Sequence, residues 1–207
     1  NRYDSYLKQC DDYIKNIQNT IEKISKNRKI IVIWFADHGA SVGEKKGEKF
    51  YGAYVYDYTI NSFCIIELPT KNKKRIDSQC SILDFYPTIL DLINKKQTEE
   101  MKLEGNSLIQ LIDNNEKTEE EPIFVETGGL YGYWPSPKKH NVFCVRTNNY
   151  KLIYNETPQK WEFYDLKKDP DEKFNIYDKD MNEITKLKQI IKKYFEKNEI
   201  KINVNYS

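Results

Sequence analysis

Residues Ile30-Ile-Val-Ile-Trp-Phe-Ala-Asp37-His38-Gly39 decide how this chain is read. Six consecutive apolar residues, several of them β-branched, predict a fully buried strand, central in a parallel or mixed sheet. The run stops abruptly at a carboxylate, an imidazole and a glycine. Ligands in open α/β sheets sit at the carboxyl ends of the strands. Asp37 and His38 stand at that address and offer a hard oxygen and a nitrogen to a divalent cation. Adjacent side chains on an extended strand point to opposite faces, so they can share an ion only where the strand has broken into a turn. Gly39 makes that break cheap. On residue types alone the triplet admits two readings, a metal-ligand pair or an Asx-type turn with a hydrogen-bonded histidine.

Tyr6, Cys10, Tyr13, Ile14, Ile17, Ile21 and Ile24 recur at three- and four-residue steps, which predicts an amphipathic helix over 3–25. A helix followed closely by a buried strand is α/β grammar. After the strand comes a polar Gly, Glu and Lys loop over 39–50, then a tyrosine-rich segment and a second buried strand at Phe63–Ile66. The segment Asp84–Ile93 predicts a helix with Asp84 as N-cap and Pro87 in the first turn. Acidic residues crowd 113–121 and mark a boundary there. Short strands at Ile123–Glu126, Val142–Arg146, Lys151–Tyr154 and Trp161–Tyr164 predict a small antiparallel sheet, and Ile184, Leu187, Ile191, Tyr194 and Phe195 a closing helix. The expected architecture is α/β: a mixed central sheet flanked by helices over 1–120, then a small C-terminal antiparallel sheet plus terminal helix over 121–207.

The totals narrow the function classes. Lys+Arg 33 against Asp+Glu 32 leaves a net charge of +1, with no basic stripe to attract nucleic acid. Mean hydropathy is −0.80, and no apolar run approaches the ~20 residues of a membrane span. No signal peptide opens the sequence. Cys10, Cys64, Cys80 and Cys144 form no CxxC pair and are read as reduced thiols, mostly core or near-core fillers. The lack of Gly-x-Ser-x-Gly and a supply of only two histidines argue against a classical serine hydrolase.

The succession of segments resembles the C-terminal half of the sulfatase family, within the alkaline-phosphatase-like metal-dependent hydrolases. The matching pieces are the helix Tyr3–Ile24 and Ile31 through Asp37-His38-Gly39 to Gly43-Glu44. They continue with Tyr56-Asp57 through Ile66, with Phe63 where the family usually has Pro, and with Asp84-Phe-Tyr-Pro87-Thr88-Ile-Leu90. Val145-Arg146 to Ile153 and Tyr164-Asp165-Leu-Lys-Lys-Asp169-Pro170-Asp-Glu172 close the series. The resemblance implies a sulfatase-like hydrolase of small-molecule or carbohydrate sulfate esters, with Asp37 and His38 as metal ligands. It implies a divalent cation, calcium first, with manganese or zinc as alternatives. It also implies a lysine on the ester oxygens, Lys49 or Lys46 ahead of Lys45; separately, His140 sits in the polar loop Trp134-Pro-Ser-Pro-Lys-Lys-His140, which suits the border of a substrate pocket. Tyr51-Gly52 stands where relatives often carry another histidine, and Arg146 is read as a brace of the terminal sheet. The family's Cys/Ser-x-Pro-x-Arg nucleophile motif has no counterpart here, so no catalytic nucleophile is expected in this chain, and a missing N-terminal half is the implied partner. Phosphodiester or phosphonate monoester hydrolases, phosphoglycerol/phosphoethanolamine-type transferases and a non-catalytic remnant share the same motifs. Family resemblance favours an exported or cell-surface setting, with a cytoplasmic one also open.

Overall fold

Helix α1, Arg2–Ser25, precedes strand β1, Val32–Phe35, and β1 pairs with β2, Cys64–Glu67, in an antiparallel ribbon. A computed structural model describes residues 2–45, 51–69, 73–114, 121–128, 141–202, 204 and 206. The chain divides into two compact units, one comprising 1–35 with 63–73 and the other 36–62 with 74–207.

In the first unit the register sets Ile33 opposite Ile66 and Trp34 opposite Ile65. Glu67 ties the pieces together: its Oε1 accepts from the Trp34 indole at 2.7 Å and from Gln18 of α1 at 3.3 Å. The sequence predicts a fully buried strand here, and the structure corrects that. Val32, Ile33 and Trp34 are half-buried, and Phe35 is 49% exposed. Phe63 and Ile65 are open to solvent as well. Each strand has one ladder partner among the described residues, so the apolar run lacks the two-sided cover its composition calls for. The stripe Tyr6, Tyr13, Ile17 and Ile24 of α1 is exposed too.

The second unit holds the core. Helix α2, Asp57–Ile60, is a single turn. Helix α3, Phe85–Leu92, follows a 3-10 turn at Ile82–Asp84, and α4 spans Ile109–Asn114. Asp84 flanks α3 as predicted, but its carboxylate does not cap it. Instead it turns back to accept from the Ser81 amide at 2.7 Å, completing a capping box on the 3-10 turn, and from the Asn106 amide at 2.9 Å. The earlier turn competes successfully for the same oxygens.

Strands β3, Ile123–Thr127, β4, Val142–Arg146, β5, Tyr150–Asn155, and β6, Lys160–Asp165, form an antiparallel meander in that order. Alternation sends Phe143, Val145, Leu152, Tyr154, Trp161 and Phe163 to one face. There they meet Ile184, Leu187, Ile191 and Phe195 of α5, Asn182–Lys197, whose three- and four-residue spacing makes one apolar stripe. The Phe143 and Phe195 rings meet edge to face at 4.9 Å. The opposite face presents Val142, Cys144, Ile153 and Tyr164, covered by Val55, Tyr56 and Leu166. Both faces are thus buried, which explains why these strands read as near-continuous apolar runs.

None of the four cysteines is in a disulfide, and the expectation of mostly core or near-core thiols is corrected: Cys144 is buried, whereas Cys10, Cys64 and Cys80 are exposed. Burial pushes the Cys144 thiol up to about 12. No helix among the described residues is long and apolar enough to cross a membrane.

Phe163 is fully enclosed between β5 and α5. Phe163→Ala is expected to destabilise the second unit by about 3–5 kcal/mol in urea unfolding.

Candidate metal centre

Gly39 explains the local geometry. Its amide donates to the Thr59 carbonyl of α2 at 2.8 Å. A Cβ built on Gly39 would lie 2.2 Å from the Tyr58 carbonyl oxygen, so only glycine lets the two backbones approach this closely. The chain leaves its extended course at this point, and the neighbouring Asp37 and His38 side chains meet. His38 Nε2 stands 3.5 Å from Asp37 Oδ2, while Asp37 Oδ1 accepts the His38 amide at 2.9 Å. Asp37 is largely exposed and His38 about 39% exposed.

His38 Nδ1 lies 2.7 Å from the Gly39 carbonyl oxygen. A carbonyl only accepts, so this contact assigns a proton to Nδ1; in the neutral imidazole that makes Nε2, on the Asp37 side, the acceptor. A backbone carbonyl behind a histidine is the usual way a ligating imidazole is oriented. The Tyr51 ring lies 4.1 Å from the His38 ring, tilted by 37°, and shields one imidazole face. The two donors fit one divalent cation in type and mutual distance. Among the described residues no group of three or more His, Cys, Asp or Glu converges as a metal site.

The loop beyond is wound around its own carboxylate. Glu44 Oε2 accepts from the Val42 amide at 2.8 Å, the Gly43 amide at 3.1 Å and Ser41 Oγ at 3.1 Å. Burial acts to raise the Glu44 carboxyl, and these donors overcome it and hold it below the ordinary range. Gly43, at φ +117°, supplies a conformation L side chains rarely adopt. Lys45 then points toward the sheet. Its ammonium donates to the Glu172 carbonyl and lies 4.3 Å from the Tyr56 ring centroid and 5.1 Å from that of Tyr164. Lys45 is therefore an anchor of this loop. Lys46, Lys49 and His140 lie outside the described residues, as does the 115–120 part of the acidic run.

Behind the loop lies a buried cluster of charge. Arg146 grips Asp57 at two points, Nε to Oδ1 at 3.1 Å and Nη2 to Oδ2 at 2.8 Å. Lys151, fully buried, pairs with Asp57 Oδ1, sits 2.7 Å from Glu172 Oε1 and donates to the Val55 carbonyl at 3.2 Å. Glu172 Oε2 accepts the Asp57 amide at 2.6 Å. Glu172 is delivered by a turn in which Asp169 takes the Lys173 and Phe174 amides at 3.0 and 2.8 Å. Its φ of +53° is costly for a residue with a β-carbon, about 1–2 kcal/mol. Burial alone would raise Asp57, but the Arg146 and Lys151 cations more than offset it and hold this carboxyl below the ordinary range. At Glu172 burial wins over the pull of Lys151, and the carboxyl is held above its ordinary value. Nearby, Glu162 accepts from Tyr56 at 2.8 Å, from Asn155 at 2.8 Å and from Tyr164. Arg146 thus braces the sheet as the sequence suggests. The full cluster was legible only as isolated polar residues, Lys151 in an apolar strand being the one clear signal.

Solved structures share the fold. One, of a protein in complex with its substrate D-glucosamine-2-N,6-O-disulfate, matches with TM-score 0.67 and 27% identity over 91% of this chain and 38% of its own. A phosphonate monoester hydrolase from Silicibacter pomeroyi matches with TM-score 0.69 at 18% identity, covering 91% of this chain and 39% of its own. Among curated relatives, an N-acetylglucosamine-6-O-sulfatase of Bacteroides thetaiotaomicron is 28% identical across 96% of this chain and 38% of its own length. Arylsulfatase K of Mus musculus is 26% identical across 84% of this chain and 36% of its own length. Residues 47–201 match the family described as N-sulphoglucosamine sulphohydrolase, C-terminal. The chain belongs to this sulfatase family, and it spans a little over a third of the length of the curated relatives it matches.

The charge cluster sets a pH dependence. Folded Asp57 titrates below the ordinary aspartate value of about 3.9, so its stabilising contribution is complete above that value and lost as pH falls through the lower folded value. Glu172, shifted upward, acts oppositely: its contribution is present below about 4.3 and lost as pH rises through its folded value. Asp57→Asn is expected to cost about 3–5 kcal/mol near neutrality. In urea titrations at descending pH, that deficit relative to wild type should shrink below about pH 4, where wild type loses the same contribution.

Proposed function

We propose that this chain is the metal-ligating C-terminal portion of a hydrolase that cleaves sulfate esters from a carbohydrate of the glucosamine type. The observation that carries this reading is the Asp37–His38 pair, 3.5 Å apart with Nε2 freed by the Nδ1 contact to Gly39. Family membership supports the reaction class. The glucosamine disulfate bound to one structural neighbour and the N-acetylglucosamine-6-O-sulfatase relative support the substrate class.

Asp37 would give one carboxylate oxygen and His38 its Nε2 to a divalent cation. The carboxylate suits calcium, and the imidazole is a donor that zinc accepts readily. When bound, such an ion neutralises charge on the ester and lowers the pKa of the attacking group. Gly39 keeps the imidazole in the tautomer that can ligate, Tyr51 shields its face, and Glu44 fixes the loop that follows. The remaining ligands and the nucleophile are proposed to come from a preceding segment of the same protein. The coverage of the relatives supports this, as do the exposed apolar residues Phe35, Phe63 and Ile65, which such a segment would cover. Lys46, Lys49 and His140 are the proposed substrate contacts within this chain.

The test is sulfate release by the protein in its full natural length from N-acetylglucosamine-6-sulfate and 4-nitrophenyl sulfate, with calcium, manganese or zinc added in turn. Release that a chelator abolishes, and that His38→Ala lowers by more than about 100-fold, is the expected result. Turnover confined to a phenylphosphonate monoester would move the assignment to the phosphonate hydrolases, and metal-independent turnover would overturn it. The 207-residue chain alone is expected to release no sulfate.

A further inference from the structure

We infer that Asp57 is a positioning residue for the Asp37–His38 pair, acting through the single turn α2 and the backbone of Gly39. The inference rests on the reading of that pair as a metal-binding site, and its experiment separates the two.

Four residues are too few to hold a helical turn by their own hydrogen bonds. Something outside α2 must place it, and Asp57 at its first position provides the grip. Its carboxylate is held at two points by Arg146 and again by Lys151, and its amide is taken by Glu172. Arg146 and Lys151 sit at paired register positions on β4 and β5, the two inner strands of the meander. Apolar contact is non-directional and would let a short turn slide. A forked guanidinium on a carboxylate fixes direction as well as distance.

From α2 the constraint passes to the site in two contacts. The Thr59 carbonyl receives the Gly39 amide at 2.8 Å, and the missing Gly39 side chain leaves Tyr58 no slack. The Gly39 carbonyl in turn meets His38 Nδ1 at 2.7 Å. Displacing α2 therefore rotates the carbonyl that selects the His38 tautomer. Loss of that selection removes the Nε2 lone pair from a fraction of the molecules. Replacing the whole charge cluster with apolar groups would cost little stability in many proteins, so directional control of α2 is what the charges add here.

The experiment uses the protein in its full natural length and compares wild type with Asp57→Asn/Lys151→Met, a charge-neutral exchange that leaves Arg146 and Glu172 as an opposed pair. Arg146→Lys keeps the charge, loses the two-point clamp and serves if the double variant does not fold. The readout is the imidazole 15N spectrum of His38, assigned by its loss in His38→Gln and recorded well above the ordinary histidine pKa of about 6.5. Wild type is expected to show two widely separated nitrogen signals, with the proton on Nδ1. In a variant that still unfolds cooperatively, the signals should converge, and the affinity for added Mn²⁺ should fall roughly 10–100-fold. An unchanged wild-type separation in a folded variant overturns the positioning role, even where Mn²⁺ binds. Convergence in the variant, in a protein whose wild type takes up no Mn²⁺, upholds the positioning role and overturns the metal reading instead.

Discussion

The Asp57 carboxylate, drawn out of water between a guanidinium and an ammonium, is the constraint on which the second unit turns. Taking it from water is costly, and the cost is met only because Arg146 offers two aligned donors and Lys151 a third contact. The consequences spread in both directions along the chain. Val55 and Tyr56, just before Asp57, close over Cys144, Ile153 and Tyr164 and seal the second face of the meander. Thr59, just after it, receives Gly39 and so defines where Asp37 and His38 emerge. Lys45 and Glu172 complete the arrangement from two further segments. Four stretches far apart in sequence converge on a patch that no single stretch could form.

Much of the secondary structure was legible because apolar patterning marks regular elements, whether or not the apolar side is covered. The helix at the N-terminus and α5 follow from spacing of three and four, and the four strands of the meander from short apolar runs bounded by turn residues. The α/β class and the sulfatase resemblance stand on the same footing. Besides the reading of the cysteines, two local readings failed for physical reasons. Ile30–Phe35 looked like an interior strand because apolar content measures the demand for cover and not its supply. Asp84 looked like a cap for α3 because residue type identifies a potential acceptor without saying which amides reach it first. The ion cluster was beyond sequence reasoning for a third reason. Its members lie 89 and 94 residues apart along the chain, and a charge in an alternating strand reads as solvent-facing until the opposite face proves to be covered.

The candidate site divides between what local sequence specifies and what it does not. An acid next to a histidine and a glycine is a local pattern, and the glycine's role follows from the space it leaves for Tyr58. The choice of ring nitrogen is set by a carbonyl whose direction depends on α2, and α2 depends on strands more than eighty residues later. Lys45 illustrates the same point. By sequence it was the least favoured of three loop lysines, and in space two tyrosine rings and a backbone carbonyl claim it.

The β1–β2 ribbon carries a further implication. Among the described residues each of its strands uses one flank for pairing, so the outer flanks keep a row of amides and carbonyls in line for another extended segment. With Phe35, Phe63 and Ile65 beside those flanks, the ribbon combines hydrogen-bonding edges with greasy side chains. Such a ribbon is adhesive by construction. Wherever the chain is prepared without a strand to fill those flanks, its solubility will be governed here, and a charged residue or proline at the rim would do more to keep it dispersed than any improvement of the well-packed C-terminal core.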